Sequence, residues 1–105
     1  MVSLRNAIKT IKQKGSGIHQ IKEGYYAFGE AWDYECVNDA CGHLDDEEEF
    51  DACAREHAYN VTQKDIPQEI NKKGYKILDI DLVDEFEDVP YGYSIALLEK
   101  DEVSR

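Results

Sequence analysis

The chain has 105 residues, the length of one modest domain, and 42% of them are hydrophobic, which excludes wholesale disorder although 33% are charged. Its 23 Asp and Glu against 12 Lys and Arg leave a net charge of −11, which argues against direct contact with nucleic acid or an anionic membrane and favours a basic partner. No apolar run approaches the roughly 18 residues of a membrane span, and the N-terminus lacks a secretory pattern, so a cytoplasmic protein is expected.

In chain order, Ser3 is placed to cap a helix in which Leu4, Ile8 and Ile11 recur at helical spacing. Lys9, Lys12 and Lys14 fall toward its end, where the dipole favours cations, and Gly15-Ser16-Gly17 stops it. The next stretch, GIHQIKEGYYAFGEAWDYECV, is rich in aromatic and β-branched residues and broken by Gly24 and Gly29; it predicts two strands or one bulged strand. Tyr26, Phe28, Trp32, Tyr34 and Cys36 share one parity, so a long pleated stretch is expected to bury them together.

A second helix is expected from about Leu44-Asp45, with Asp45 and Glu48 spaced as in a capping box and Phe50, Cys53, Ala54, His57, Ala58 and Val61 turned inward. A short third helix follows, with Asp65 as cap, Pro67 in its first turn, Ile70 inward and Gly74 as terminator. YKILDIDLVDEFED then alternates: Leu78, Ile80, Leu82 and Phe86 point one way, and Asp79, Asp81, Glu85 and Glu87 the other, with Val83 the apolar exception. A turn at Val89-Pro90-Tyr91-Gly92 leads into GYSIALLEK, completing a terminal hairpin. The expected fold is α+β: one compact domain over residues 1–105, an antiparallel sheet of three to four strands and two to three helices.

Three cysteines, an odd number without an export signal, point to reduced thiols or a metal in preference to a disulfide framework. Cys36, Cys41, Cys53 and His57 supply a Cys3His set for a structural zinc, with Cys53 and His57 one helical turn apart and His43 as a spare ligand. The spacing C-x4-C-x11-C-x3-H is not a paired CxxC pattern. Packing explains the same residues: Cys53 and His57 on the core side of the helix, Cys36 inward on a strand, and Cys41 as a loop thiol.

The charge is unevenly distributed. Residues 1–29 carry a net +4, 30–60 a net −10, 61–78 a net +2 and 79–105 a net −7. Carboxylates on alternate strand residues are about 6.6 to 6.8 Å apart and those one helical turn apart about 5 to 6 Å, close to the roughly 7 Å between successive phosphates of a DNA strand. Asp79, Asp81, Glu85 and Glu87, together with Asp45, Asp46, Glu47, Glu48, Glu49 and Asp51, are therefore expected to form one anionic surface that fits a phosphate-binding groove, with Tyr25, Tyr91, Tyr93 or Trp32 as aromatic anchors. Solvation of an outward strand face and a helix start accounts for the same residues, but not for a net charge beyond the magnitude of about 2 to 8 that solubility needs.

LDDEEEFDACAREH, residues 44–57, resembles an acidic helix segment of the ArdA antirestriction proteins, which mimic DNA to block restriction enzymes. The likeness covers helix-start chemistry only, slips register after Phe50, and the chain is too short for that family's multi-domain layout. It implies the class of small acidic inhibitors of mobile elements, antirestriction or anti-CRISPR.

No catalytic signature is present, and no enzyme is expected. Gly15-Ser16-Gly17 lacks the ending of a phosphate loop, Cys53 and His57 lie on a packed helix face, and Asp79-x-Asp81 lacks the central glycine of a calcium loop. The expected function is an acidic interaction protein that inhibits or competes at the nucleic-acid-binding surface of a basic partner such as a defence nuclease, without a cofactor. The alternative is a zinc-stabilised adaptor module. A homodimer through the aromatic stretch 25–34 is conceivable.

Overall fold

A computed structural model describes residues 2–84, 86, 89 and 91–100, with the side chains of Tyr34 and Cys36 excepted. Among the described residues the order is α1 (Leu4–Lys14), β1 (Gly17–Lys22), β2 (Tyr25–Ala31), α2 (Tyr34–Cys41), α3 (Glu47–Gln63), α4 (Asp65–Lys72), β3 (Tyr75–Val83) and β4 (Tyr93–Lys100). The four strands form one antiparallel sheet in the order β1-β2-β4-β3, so β2 and β4 are central and β1 and β3 are edges. The α+β class is as expected; α2 is an added helix.

β4 organises the molecule. Its run from Ser94 to Leu98 is buried at every position, so both faces of the sheet must be covered. On one face α1 lays Ala7, Ile8 and Ile11 against Ala27, Val83, Ile95 and Leu97. Gly29 permits this approach, because a Cβ there would lie 2.7–2.9 Å from side-chain atoms of Ile11. On the other face α4 packs Ile66 and Ile70 on Ala96 and Leu98, with Tyr26, Phe28, Ile77 and Ile80 around them. α3 belongs to this second layer, and α2 packs on α3 through a cluster that holds Val37, Cys41, Ala54 and Ala58 with Trp32 and Tyr91.

α1 starts as expected: Asn6 Oδ1 accepts from the Ser3 backbone N–H at 2.8 Å. The 17–37 stretch resolves into the β1–β2 hairpin followed by a helix. Tyr26 and Phe28 do share the α4 face, but the strand ends at Ala31, and Tyr34 and Cys36 lie in α2.

The β3–β4 pair differs from the expected hairpin in two ways. First, the register of β3 shifts between Ile77 and Asp79, so Leu78 sits in a bulge, 42% exposed, and not in the core. Second, β3 ends at Val83; the expected turn is there, Gly92 N–H donating to the Val89 carbonyl at 3.4 Å, with Pro90 outside the described residues, but its end joins the β2–β4 ladder: Trp32 N–H donates to the Gly92 carbonyl at 2.9 Å and Tyr91 N–H to the Trp32 carbonyl at 3.2 Å. Gly92, with φ +88° and its Cα facing the Val83 carbonyl, leaves no room for a side chain there. Phe86, past the end of the strand, joins the α1 cluster, opposite to the face of Ile80 and Leu82, and stacks against Tyr93 with ring centroids 4.2 Å apart.

One buried polar chain ties the second layer to the sheet. The Trp32 indole N–H donates to Ser94 Oγ at 2.7 Å, and the Thr62 hydroxyl donates to the Ala58 carbonyl at 2.7 Å. With both of those protons committed, the Ser94 hydroxyl donates to Thr62 Oγ1. Ser94 and Thr62 are both fully buried. Ser94→Ala strands the Trp32 donor in the core, and urea denaturation should show a loss of about 1 to 3 kcal/mol without a change of fold.

Candidate functional site

The most concentrated negative charge lies on the α2–α3 pair. α3 begins after Asp46, whose carboxylate accepts from the Glu48 N–H at 2.8 Å; the cap is one residue later than the sequence suggests. Glu47, Glu48 and Glu49 occupy the exposed first turn, where the positive end of the helix dipole stabilises carboxylates. This local gain lets so many like charges gather at one end.

Aromatic packing holds that end. Phe50 and Tyr91 are each 8% exposed, their ring centroids are 6.3 Å apart, and the Tyr91 hydroxyl donates to Asp51 Oδ1 at 3.1 Å. Leu44, Asp45, Asp46, Phe50, Asp51 and Tyr91 line a cleft of about 300 Å³. Leu44 contributes a half-buried apolar side and the carboxylates a charged rim, a combination that suits the stem and charged head of a lysine or arginine from a partner. α2 extends the acidic surface with Glu35 and Asp39, exposed and one turn apart. Neither stands out in the sequence, because α2 reads there as the continuation of a strand.

Asp79 and Asp81 do not join this surface. They alternate with Ile80 and share the parity of Val83, which packs against α1, so they belong to the face opposite α3. There they border an open cleft of about 530 Å³ with Ser3, Leu4, Arg5 and Ile8. The expected convergence of strand and helix carboxylates on one surface is thus not what the fold produces: β4, buried on both sides, stands between them. Asp84, just past β3, does reach the second layer, where its Oδ2 meets Arg55 Nη1 at 3.0 Å. Glu85 and Glu87 lie outside the described residues.

The basic residues of α1 (Arg5, Lys9, Lys12 and Lys14) also lie on the Asp79 face, and α1 carries no acidic side chain. The molecule therefore has a basic helix layer on one side of the sheet and an acidic helix pair on the other.

The cysteines are arranged differently from a Cys3His site. Cys41 is not a loop thiol but the buried last residue of α2, and it forms a disulfide with Cys53 across the helix pair, with Cα atoms 5.9 Å apart. Sulfurs joined to each other have no thiolate to give a metal. His57 faces Trp32 edge-on, with ring centroids 5.8 Å apart, and the side chain of Cys36 lies outside the described residues. No group of three or more metal-binding side chains is assembled among the described residues. The odd count of cysteines points away from a disulfide, but helix packing, hidden where α2 continues the strand pattern, brings two of the three together.

One carboxyl is clearly perturbed. Glu30 keeps access to solvent, but packing partly desolvates its carboxyl and Glu69 of α4 repels its charge; together these raise its pKa against the opposing pull of Lys73.

No family model, curated protein or solved structure matches this chain.

Two predictions follow from the chemistry of this region. Alkylation of the denatured protein without reductant should label one cysteine, and with reductant three; reduction should lower stability in urea by about 3 kcal/mol by freeing the loop that the crosslink closes. Because Glu30 binds its proton more tightly when folded, its ionised form works against folding above the ordinary carboxylate range and has no effect well below it. Glu30→Gln should therefore raise the thermal midpoint at neutral pH and leave it unchanged at about pH 3.

Proposed function

We propose that the chain is a small acidic interaction protein that occupies the nucleic-acid-binding surface of a basic partner, as an antirestriction or anti-CRISPR inhibitor of a defence nuclease would. The observation that carries this reading is the fixed acidic end of α3. Six carboxylates between Asp45 and Asp51 are held by a helix cap, by the Tyr91–Asp51 hydrogen bond and by a disulfide to the neighbouring helix. Charges on a rigid frame keep their spacing when a cationic groove approaches, and no ordering cost is added at contact. The aromatic rings beneath them, already packed in the core, anchor the helix start, so the charged end meets a partner without rearranging. In this reading Asp79 and Asp81 add to the overall field but not to the docking face.

The test is capture by tagged protein from nuclease-treated host extract. A nucleic-acid-binding protein should be retained at low salt, released at high salt and displaced by duplex DNA. Replacing Asp45, Glu47 and Glu49 by Asn, Gln and Gln spares the Asp46 cap and the Asp51 contact, and should weaken binding by about tenfold or more. Binding that ignores salt, DNA and this triple replacement would reject the reading.

A further inference from the structure

Among the described residues the longest strand, β3, has nine residues and lies at an edge of the sheet. An uncovered edge of that length offers a row of free donors and acceptors to any other strand.

Lys100 N–H donates to the Gly24 carbonyl, on the β2 side of β4. Along β4 the even-numbered residues therefore turn toward β2 and the odd-numbered ones toward β3. Odd-numbered Ile95 and Leu97 pair with Asp81 and Asp79, so those two residues bond to β4, and Ile80 and Leu82 between and beside them face the free edge. These outward donors are already occupied: Ile80 N–H donates to Asp79 Oδ1 at 2.9 Å and Leu82 N–H to Asp81 Oδ1 at 2.9 Å.

We infer that Asp79 and Asp81 are edge guards that keep β3 from pairing with the β3 strand of a second copy of this chain. Each carboxylate takes the donor that an incoming strand needs and places negative charge where that strand's carbonyl oxygen would approach. The occupant excluded is a second copy because the segment is self-complementary: Ile77, Leu78, Ile80, Leu82 and Val83 form a β-branched and aliphatic run that would pair with itself in antiparallel register. The Leu78 bulge adds irregularity to the edge but also leaves an apolar side chain exposed beside it. The guards are therefore needed where the bulge alone would leave an adhesive strip. This role is independent of the acidic end of α3.

The test uses Asp79→Ala with Asp81→Ala in the full chain. With far-UV circular dichroism like the parent's, this variant should run as a dimer or larger species by size exclusion with light scattering, increasingly so with concentration, while the parent runs as a monomer. Adding Leu78→Lys, a charge at the bared edge, should restore the monomer. A folded double variant that stays monomeric at every concentration would overturn the inference, and so would a dimer indifferent to Leu78→Lys. Amide exchange on the monomeric parent protein keeps the inference open to rejection even if the variant does not fold. The Ile80 and Leu82 amides should exchange about tenfold or more slowly than in an unstructured peptide, and exchange at the peptide rate would remove the guards.

Discussion

The burial of β4 on both faces is the constraint from which the rest of the molecule follows. A strand whose five successive residues Ser94–Leu98 all avoid water cannot sit in a sheet with one wet side. Each face must then receive a helix layer, and the chain has amphipathic helices of opposite charge to supply. α1, short and lysine-rich, covers the face of Ile95 and Leu97; α3 and α4 cover that of Ala96 and Leu98. Small residues set how closely α1 approaches, since Ala27 and Gly29 leave a shallow floor for Ile11.

The second layer is positioned by chemistry that apolar contact does not provide. Hydrophobic surfaces slide at little cost, whereas the run from the Trp32 indole through Ser94 and Thr62 to the Ala58 carbonyl has one arrangement in which every buried proton finds an acceptor. That run joins the end of β2, the centre of the sheet and the C-terminal part of α3. Through it, and through Tyr91 at the far end of the loop, the acidic first turn of α3 is referenced to the core instead of drifting with solvent.

Where the sequence was legible, periodicity made it so. α1 and α4 show their inward residues at helical spacing with clear stops, and the β1–β2 and β3–β4 pairs show alternation bounded by glycine. α2 was not legible because its eight residues satisfy two periods at once: Tyr34 and Cys36 continue the strand parity, while Val37 and Cys41 make a helical pair closed by Gly42. The second pair was the available signal. The bulge at Leu78 had none, since a register shift depends on what the opposite strand presents. The separation of Asp79 and Asp81 from the α3 carboxylates was encoded less directly, in the unbroken apolar run Ile95–Leu98, which marks a strand covered on both sides. Individual carboxylates at the helix start could be named from sequence; their division between faces required the topology.

The opposed charge of α1 and of the α2–α3 pair gives the chain a permanent electric polarity across the sheet. A net charge alone draws a molecule toward an oppositely charged body without choosing which side leads. A dipole superimposed on that charge exerts a torque, and it acts over the same Debye length, about 8 Å at physiological salt, as the attraction itself. Near a cationic surface the chain is turned before it touches, the α3 end leading and the lysines of α1 trailing. Fewer of its collisions are then spent in the wrong pose.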